Sequence, residues 1–111
     1  MAYYGQNVAA VSINFNGTGT ISINDSFNVT SIFDRGTGRY TVNYDTDFSN
    51  SSYSGHVSAE KVSGTDDGYC FGCFAHGGYG SASCDVSFQI GSAGPDDVTK
   101  AFVNLFSLGN V

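Results

Sequence analysis

Val11-Ser12-Ile13-Asn14-Phe15-Asn16-Gly17-Thr18-Gly19-Thr20-Ile21-Ser22-Ile23 is the stretch on which the fold turns. Val11, Ile13 and Phe15 alternate with Ser12 and Asn14, the period of a strand with one buried face. The strand ends at Asn16. Gly17-Thr18-Gly19 supplies the positive-φ positions of a tight turn, and residues 20–23 return with Ile21 and Ile23 on one face, which predicts a β-hairpin. Nineteen residues later the pattern repeats: Phe33-Asp34-Arg35-Gly36-Thr37-Gly38-Arg39-Tyr40-Thr41-Val42-Asn43 echoes residues 14–24. Two copies are too few for a solenoid and read as one hairpin solution used twice in one sheet system.

Outward from these hairpins, Asn24-Asp25 reads as a turn and residues 26–32 as a strand able to switch between sheets. Residues 45–52, rich in Asp, Asn and Ser, read as a loop outside the core. Extended character returns over residues 53–62 with Tyr53, Val57 and Ala59. Residues 63–68 form a turn cluster and residues 69–75 an aromatic strand, after which residues 76–81 hold three glycines. Cys84, Val86, Phe88 and Ile90 alternate strictly against Asp85, Ser87 and Gln89. After a turn at residues 91–97, residues 98–108 form a last strand whose apolar content suggests burial on both faces. About eight short strands at even spacing predict an all-β, antiparallel sandwich or barrel-like module. It forms a single domain over residues 1–111, with residues 1–8 as a short extension.

Composition agrees. Seven Tyr, nine Phe, fifteen Gly and one Pro among 111 residues suit strands and turns. A net charge of −6 argues against nucleic acid as a partner, because that affinity rests on Lys and Arg displacing counterions. No eighteen-residue apolar run and no signal-peptide pattern is present, so the expectation is a soluble chain, not inserted in a membrane and not exported. Three cysteines cannot all pair within the chain, and in a reducing cytosol they read as thiols.

The run of residues 13–32, Ile13-Asn14-Phe15-Asn16-Gly17-Thr18-Gly19-Thr20 through Asp25-Ser26-Phe27-Asn28-Val29-Thr30-Ser31-Ile32, is continued by Asp34-Arg35-Gly36-Thr37-Gly38-Arg39-Tyr40-Thr41-Val42-Asn43-Tyr44. It resembles a domain that recurs in tail-fibre and other virion proteins of tailed bacteriophages. The likeness is strong over residues 13–44 and looser over residues 53–106, where Asp96-Asp97-Val98 opens the last strand. It implies a homotrimer with a non-catalytic role at the virion surface, made in the host bacterial cytoplasm. Its implied partners are other phage structural proteins, of the tail or the major capsid, and a host-surface glycan or protein. In that family the domain usually caps a longer fibre. Only about a dozen residues precede the first strand here, which brings in the alternative of a capsid decoration protein.

Several constellations have a chemical and a plain reading. Cys70, Cys73, His76 and Cys84 give C-x2-C-x2-H-x7-C, a donor set for tetrahedral zinc. Residues three apart on a strand face opposite ways, however, so packed free thiols are the expectation, with a cross-strand disulfide from Cys70 or Cys73 to Cys84 as the lesser alternative, and no cofactor or metal is assigned. A zinc-stabilised regulatory domain is the remote alternative. His56 and His76 have no Gly-x-Ser-x-Gly elbow for company and read as surface residues, so no catalytic residue is assigned. Asp66-Asp67, Asp96-Asp97 and Asp45-Thr46-Asp47 lack a calcium-loop series and read as solvated turns. Tyr69, Phe71, Phe74, His76 and Tyr79 are the candidate binding or interface residues: aromatic rings beside glycines give rigid contact area, and the same spacing fits a packed strand. Val98, Phe102, Val103, Leu105 and Phe106 are the candidate trimer contacts, since they exceed what one sheet face hides.

Overall fold

The computed structural model describes residues 11–48, 51, 53–60, 70–90 and 97–106. They form eight strands: β1 Val11–Asn16, β2 Ser22–Phe27, β3 Val29–Gly36, β4 Arg39–Tyr44, β5 Ser54–Glu60, β6 Cys70–Tyr79, β7 Ser83–Ile90 and β8 Lys100–Phe106. All pairings are antiparallel. One four-stranded sheet, A, has the order β2-β1-β8-β5, and the other, B, has β3-β4-β7-β6. The predicted all-β, sandwich-like architecture is present. The expected turns at residues 63–68 and 91–96, and the extension 1–8, lie outside the described residues.

The core lies between the sheets because alternation puts every second side chain there. Sheet A contributes Val11, Ile13 and Phe15 from β1 and Ala101, Val103 and Leu105 from β8; sheet B contributes Tyr40, Val42 and Tyr44 from β4 and Cys84, Val86 and Phe88 from β7. These are the four central strands, and each fully buried aliphatic or Phe side chain contributes about 1.5–3 kcal/mol. Phe15, Tyr40 and Phe88 meet at ring-centroid distances of 5.2 to 6.3 Å, two of the three contacts edge-on, the geometry that aromatic quadrupoles favour.

The chain changes sheets between β2 and β3 at Asn28, whose φ of 59° turns the backbone out of sheet A. Asparagine tolerates this left-handed conformation. Its side chain fixes the corner, accepting from the Thr46 amide at 2.6 Å and donating to the Thr46 carbonyl at 3.1 Å. The expected sheet switch is thus located. Asn24-Asp25 is not a turn: β2 runs through both, and the register slips by one residue opposite Asn14 and Phe15, making a bulge.

The two Gly-Thr-Gly turns lie at one end of the sandwich and are laced together. Tyr40 Oη lies 2.9 Å from the Gly17 carbonyl and 2.8 Å from Asp97 Oδ1, and that carboxylate oxygen also accepts from the Gly38 amide at 2.8 Å. The Gly17 amide donates to the Val98 carbonyl at 2.9 Å. Asp97 is therefore a structural tie rather than the solvated turn residue expected; Asp96 and Asp66-Asp67 lie outside the described residues. Positive φ holds at Gly19, Gly36 and Gly38, but not at Gly17. Gly17 is required for a different reason, since a Cβ there would run into the Tyr40 phenol.

Gly36 has φ of 133°, and a Cβ there would meet no neighbour within 4 Å. Gly36→Val therefore isolates backbone strain from crowding. We expect it to cost about 1–3 kcal/mol, read as a lower melting temperature in a thermal scan. A melting temperature equal to the parent's would remove the requirement for glycine at this turn.

Candidate functional site

Residues 98–108 were expected to be apolar on both faces. Instead β8 alternates, with Ala101, Val103 and Leu105 buried and Lys100 and Phe106 exposed. The correction follows from β8 lying inside sheet A, paired on both sides by β1 and β5, with only one face toward sheet B. Val98, Val103 and Leu105 are thus committed to the core, leaving Phe102 and Phe106 of the candidate trimer contacts on the outer face. Register places Phe27 opposite Ser12 on that face, with Asn104 beyond. Phe27, Phe102, Ser12, Asn14 and Asn104 line a shallow hollow of about 260 Å³. Ser12 Oγ donates to Asn104 Oδ1 at 2.9 Å. Phe27 is 60% and Phe106 45% exposed.

The second feature lies where β5, the edge of sheet A, packs against β6, the edge of sheet B. Two glycines allow the approach. A Cβ on Gly72 would meet Val57 Cγ1 at 2.6 Å and Phe88 Cε1 at 2.8 Å, and one on Gly55 would meet Leu105 Cδ2 at 2.6 Å and Phe74 Cε2 at 2.9 Å. Val57 and Phe74 thus fill the space that two missing side chains leave.

The aromatic strand expected over residues 69–75 runs on through Gly77 and Gly78. β6 continues to Tyr79, taking five steps from Phe74 to Tyr79 while β7 takes two from Val86 to Cys84. Gly77, at φ of 67°, allows this wide bulge. The bulge returns the Tyr79 ring to the side of Phe74, with centroids 6.2 Å apart at 76°.

Ser51, Tyr53, Gly55, Phe74 and Tyr79 line an open cleft of about 610 Å³. Of the candidate binding residues the structure brings Phe74 and Tyr79 together here. Phe71 and His76 are placed on β6 by their backbone, and Tyr69 lies outside the described residues. Sequence reasoning missed Tyr53 and also Phe48, which was assigned to a polar loop. Phe48 is buried, stacks on Tyr53 at 4.5 Å and 25°, and meets Tyr44 edge-on at 5.1 Å.

Tyr53 is held from behind. Its hydroxyl donates to the Gly80 carbonyl at 2.9 Å, so across the 2.9 Å contact with Tyr44 its oxygen is the acceptor. Tyr44 in turn touches the buried Cys84 thiol. Burial first, then Cys84 and Tyr53, raise the Tyr44 hydroxyl above the ordinary phenol range. Burial pushes the Cys84 thiol up to about 11. The thiol is therefore protonated and unreactive at neutral pH.

A pKa raised on folding gives stability that is complete below the unfolded value and is lost as pH rises through the folded one. For Cys84 that window runs from about 9 to about 11, and Tyr44 shifts in the same direction. We expect the melting temperature to hold to about pH 9 and fall steeply by pH 11; a flat profile across that window would contradict the buried thiol–phenol contact.

Cys73 is exposed and Cys84 buried, on opposite faces of sheet B, since Cys73 pairs with outward Ser87. They do not share one metal. Cys70 is placed by backbone only, and no group of three or more His, Cys, Asp or Glu able to hold a metal occurs among the described residues. His56 is exposed on β5 opposite Asn104.

No protein-family model, curated protein or solved structure matches this chain.

Proposed function

We propose that this chain is a non-enzymatic, tail-fibre-type module on the surface of a bacteriophage virion, acting as a homotrimer in attachment to the host envelope. The observation that carries the reading is the exposure of large aromatic side chains: Phe27, Phe106 and the Tyr79 ring, with Phe33 at 61% on the outer face of sheet B. Such side chains, clustered as Phe27 and Phe102 are, mark contact surfaces. The resemblance of residues 13–44 says which kind of contact protein. That stretch spans β1 to β4, the hairpin, sheet switch and second hairpin on which both sheets are founded. The non-catalytic part is supported by how the reactive groups are used, Asp97 in tying turns and Cys84 in packing.

Trimerisation is assigned to the outer face of sheet A, through Phe27, Phe102 and Phe106. Light scattering at micromolar concentration should give three times the chain mass, and Phe102→Ser with Phe106→Ser should give monomer of unchanged fold. A parent monomer would remove the trimer. Immunogold labelling of intact phage particles tests location. Label on tail fibres supports the proposal; label over the capsid shell replaces it with a decoration role, and unlabelled particles refute both.

A further inference from the structure

We infer that the cleft between β5 and β6 binds an uncharged sugar, of mono- or disaccharide size. The inference deepens the attachment reading and rests on it for its biological sense, while the cleft is argued from its own residues. Its lining combines the aromatic residues Tyr53, Phe74 and Tyr79 with the polar Ser51 and with Gly55. Among the described lining residues none carries a formal charge. A pyranose matches this mixture: its axial C–H face packs on an aromatic ring, and its hydroxyls need donors and acceptors at the rim.

Size agrees. About 610 Å³ falls within the range of small-molecule sites, roughly 300–1,000 Å³. An aromatic cage for a small quaternary ammonium closes tightly round its ligand, because cation–π attraction needs ring centroids within about 6 Å of the charge. This cleft is open to solvent rather than closed round a ligand.

The rings are held before any ligand arrives. Tyr53 is stacked on Phe48 and hydrogen-bonded to Tyr44 and Gly80. Phe74 is seated over Gly55, and Tyr79 stands edge-on to Phe74. Preorganised rings lose little freedom on binding, so weak stacking suffices for a millimolar affinity. Tyr79, half exposed, accepts no packing duty in the core and presents its ring to the cleft.

The test is an NMR titration of the isotope-labelled full chain with maltose, lactose and N,N′-diacetylchitobiose. Each is taken to about 50 mM, enough to saturate a millimolar site. Tetramethylammonium chloride serves as the comparison. We expect at least one sugar to shift amides of residues 53–55 and 74–80 and to saturate, and Tyr79→Ala to weaken that response about tenfold with the remaining spectrum unchanged. No response to any of the three sugars, a response elsewhere on the chain, or a response to tetramethylammonium alone would overturn the inference. Labelled virions without a sugar response remove the cleft assignment only. A sugar response with unlabelled particles keeps the cleft and removes the virion reading.

Discussion

Tyr40→Ala is expected to be the most damaging single substitution, lowering stability by about 4 kcal/mol and the melting temperature by about 15 °C. The ring is fully buried and touches Phe15 and Phe88, one on each sheet, so its removal leaves a void that neither neighbour can fill alone. The hydroxyl also has work to do: its one proton serves the Asp97 carboxylate and the Gly17 carbonyl. Tyr40→Phe separates the two contributions. It keeps the ring and removes a partly charge-assisted hydrogen bond, at about 1–2 kcal/mol. Chemical denaturation of both variants checks the order. If Phe costs as much as Ala, the turn lacing rather than the ring contact holds this end of the sandwich. If Ala costs under about 1 kcal/mol, the packing of the three rings is wrong.

Much of this scaffold was legible in the sequence. β1 and β7 were read from alternation because each lies inside a sheet with one wet face, so the buried set Val11, Ile13, Phe15 and the set Cys84, Val86, Phe88 each keep a strict period of two. β8 is equally central, but Phe102 and Phe106 on its outer face blurred the period and gave the appearance of two buried faces. Asn24-Asp25 has turn chemistry, and only the pairing with β1 shows that it is used for a bulge. Phe48 was hidden in a run of Asp, Asn and Ser; a lone aromatic in such a loop gives no period, although a large apolar side chain there is itself a sign of docking.

The candidate site was harder to read because its parts come from different sheets. Phe74 and Tyr79 were identified as an aromatic stretch, but their meeting depends on the bulge at Gly77, and Tyr53 joins them only through the β5–β6 contact. Glycine has two uses here that sequence alone does not separate. Gly19, Gly36 and Gly38 provide positive φ, whereas Gly17, Gly55 and Gly72 provide room for a neighbour distant in sequence.

Gly55→Val tests the second use and joins stability to the cleft. By strand propensity alone, valine for glycine in β5 should stabilise, since β-branched residues favour the pleated conformation. Gly55 also lacks the positive φ that would penalise a side chain. The expected result has the opposite sign, a loss of about 3 kcal/mol, because the new Cβ would meet Leu105 in the core and the Phe74 ring across the sheet edge. Either β5 lifts away from β6 or Phe74 swings into the cleft, so the sugar response is lost as well. Tyr79→Ala, at a half-exposed ring, should weaken the response about tenfold and keep its stability, which distinguishes a filled cleft from a missing wall. Thermal melts and the NMR titration of the two variants read both effects. A Gly55→Val protein as stable as its parent would mean that Phe74 is not seated over residue 55, and the preorganised wall of the cleft would go with it.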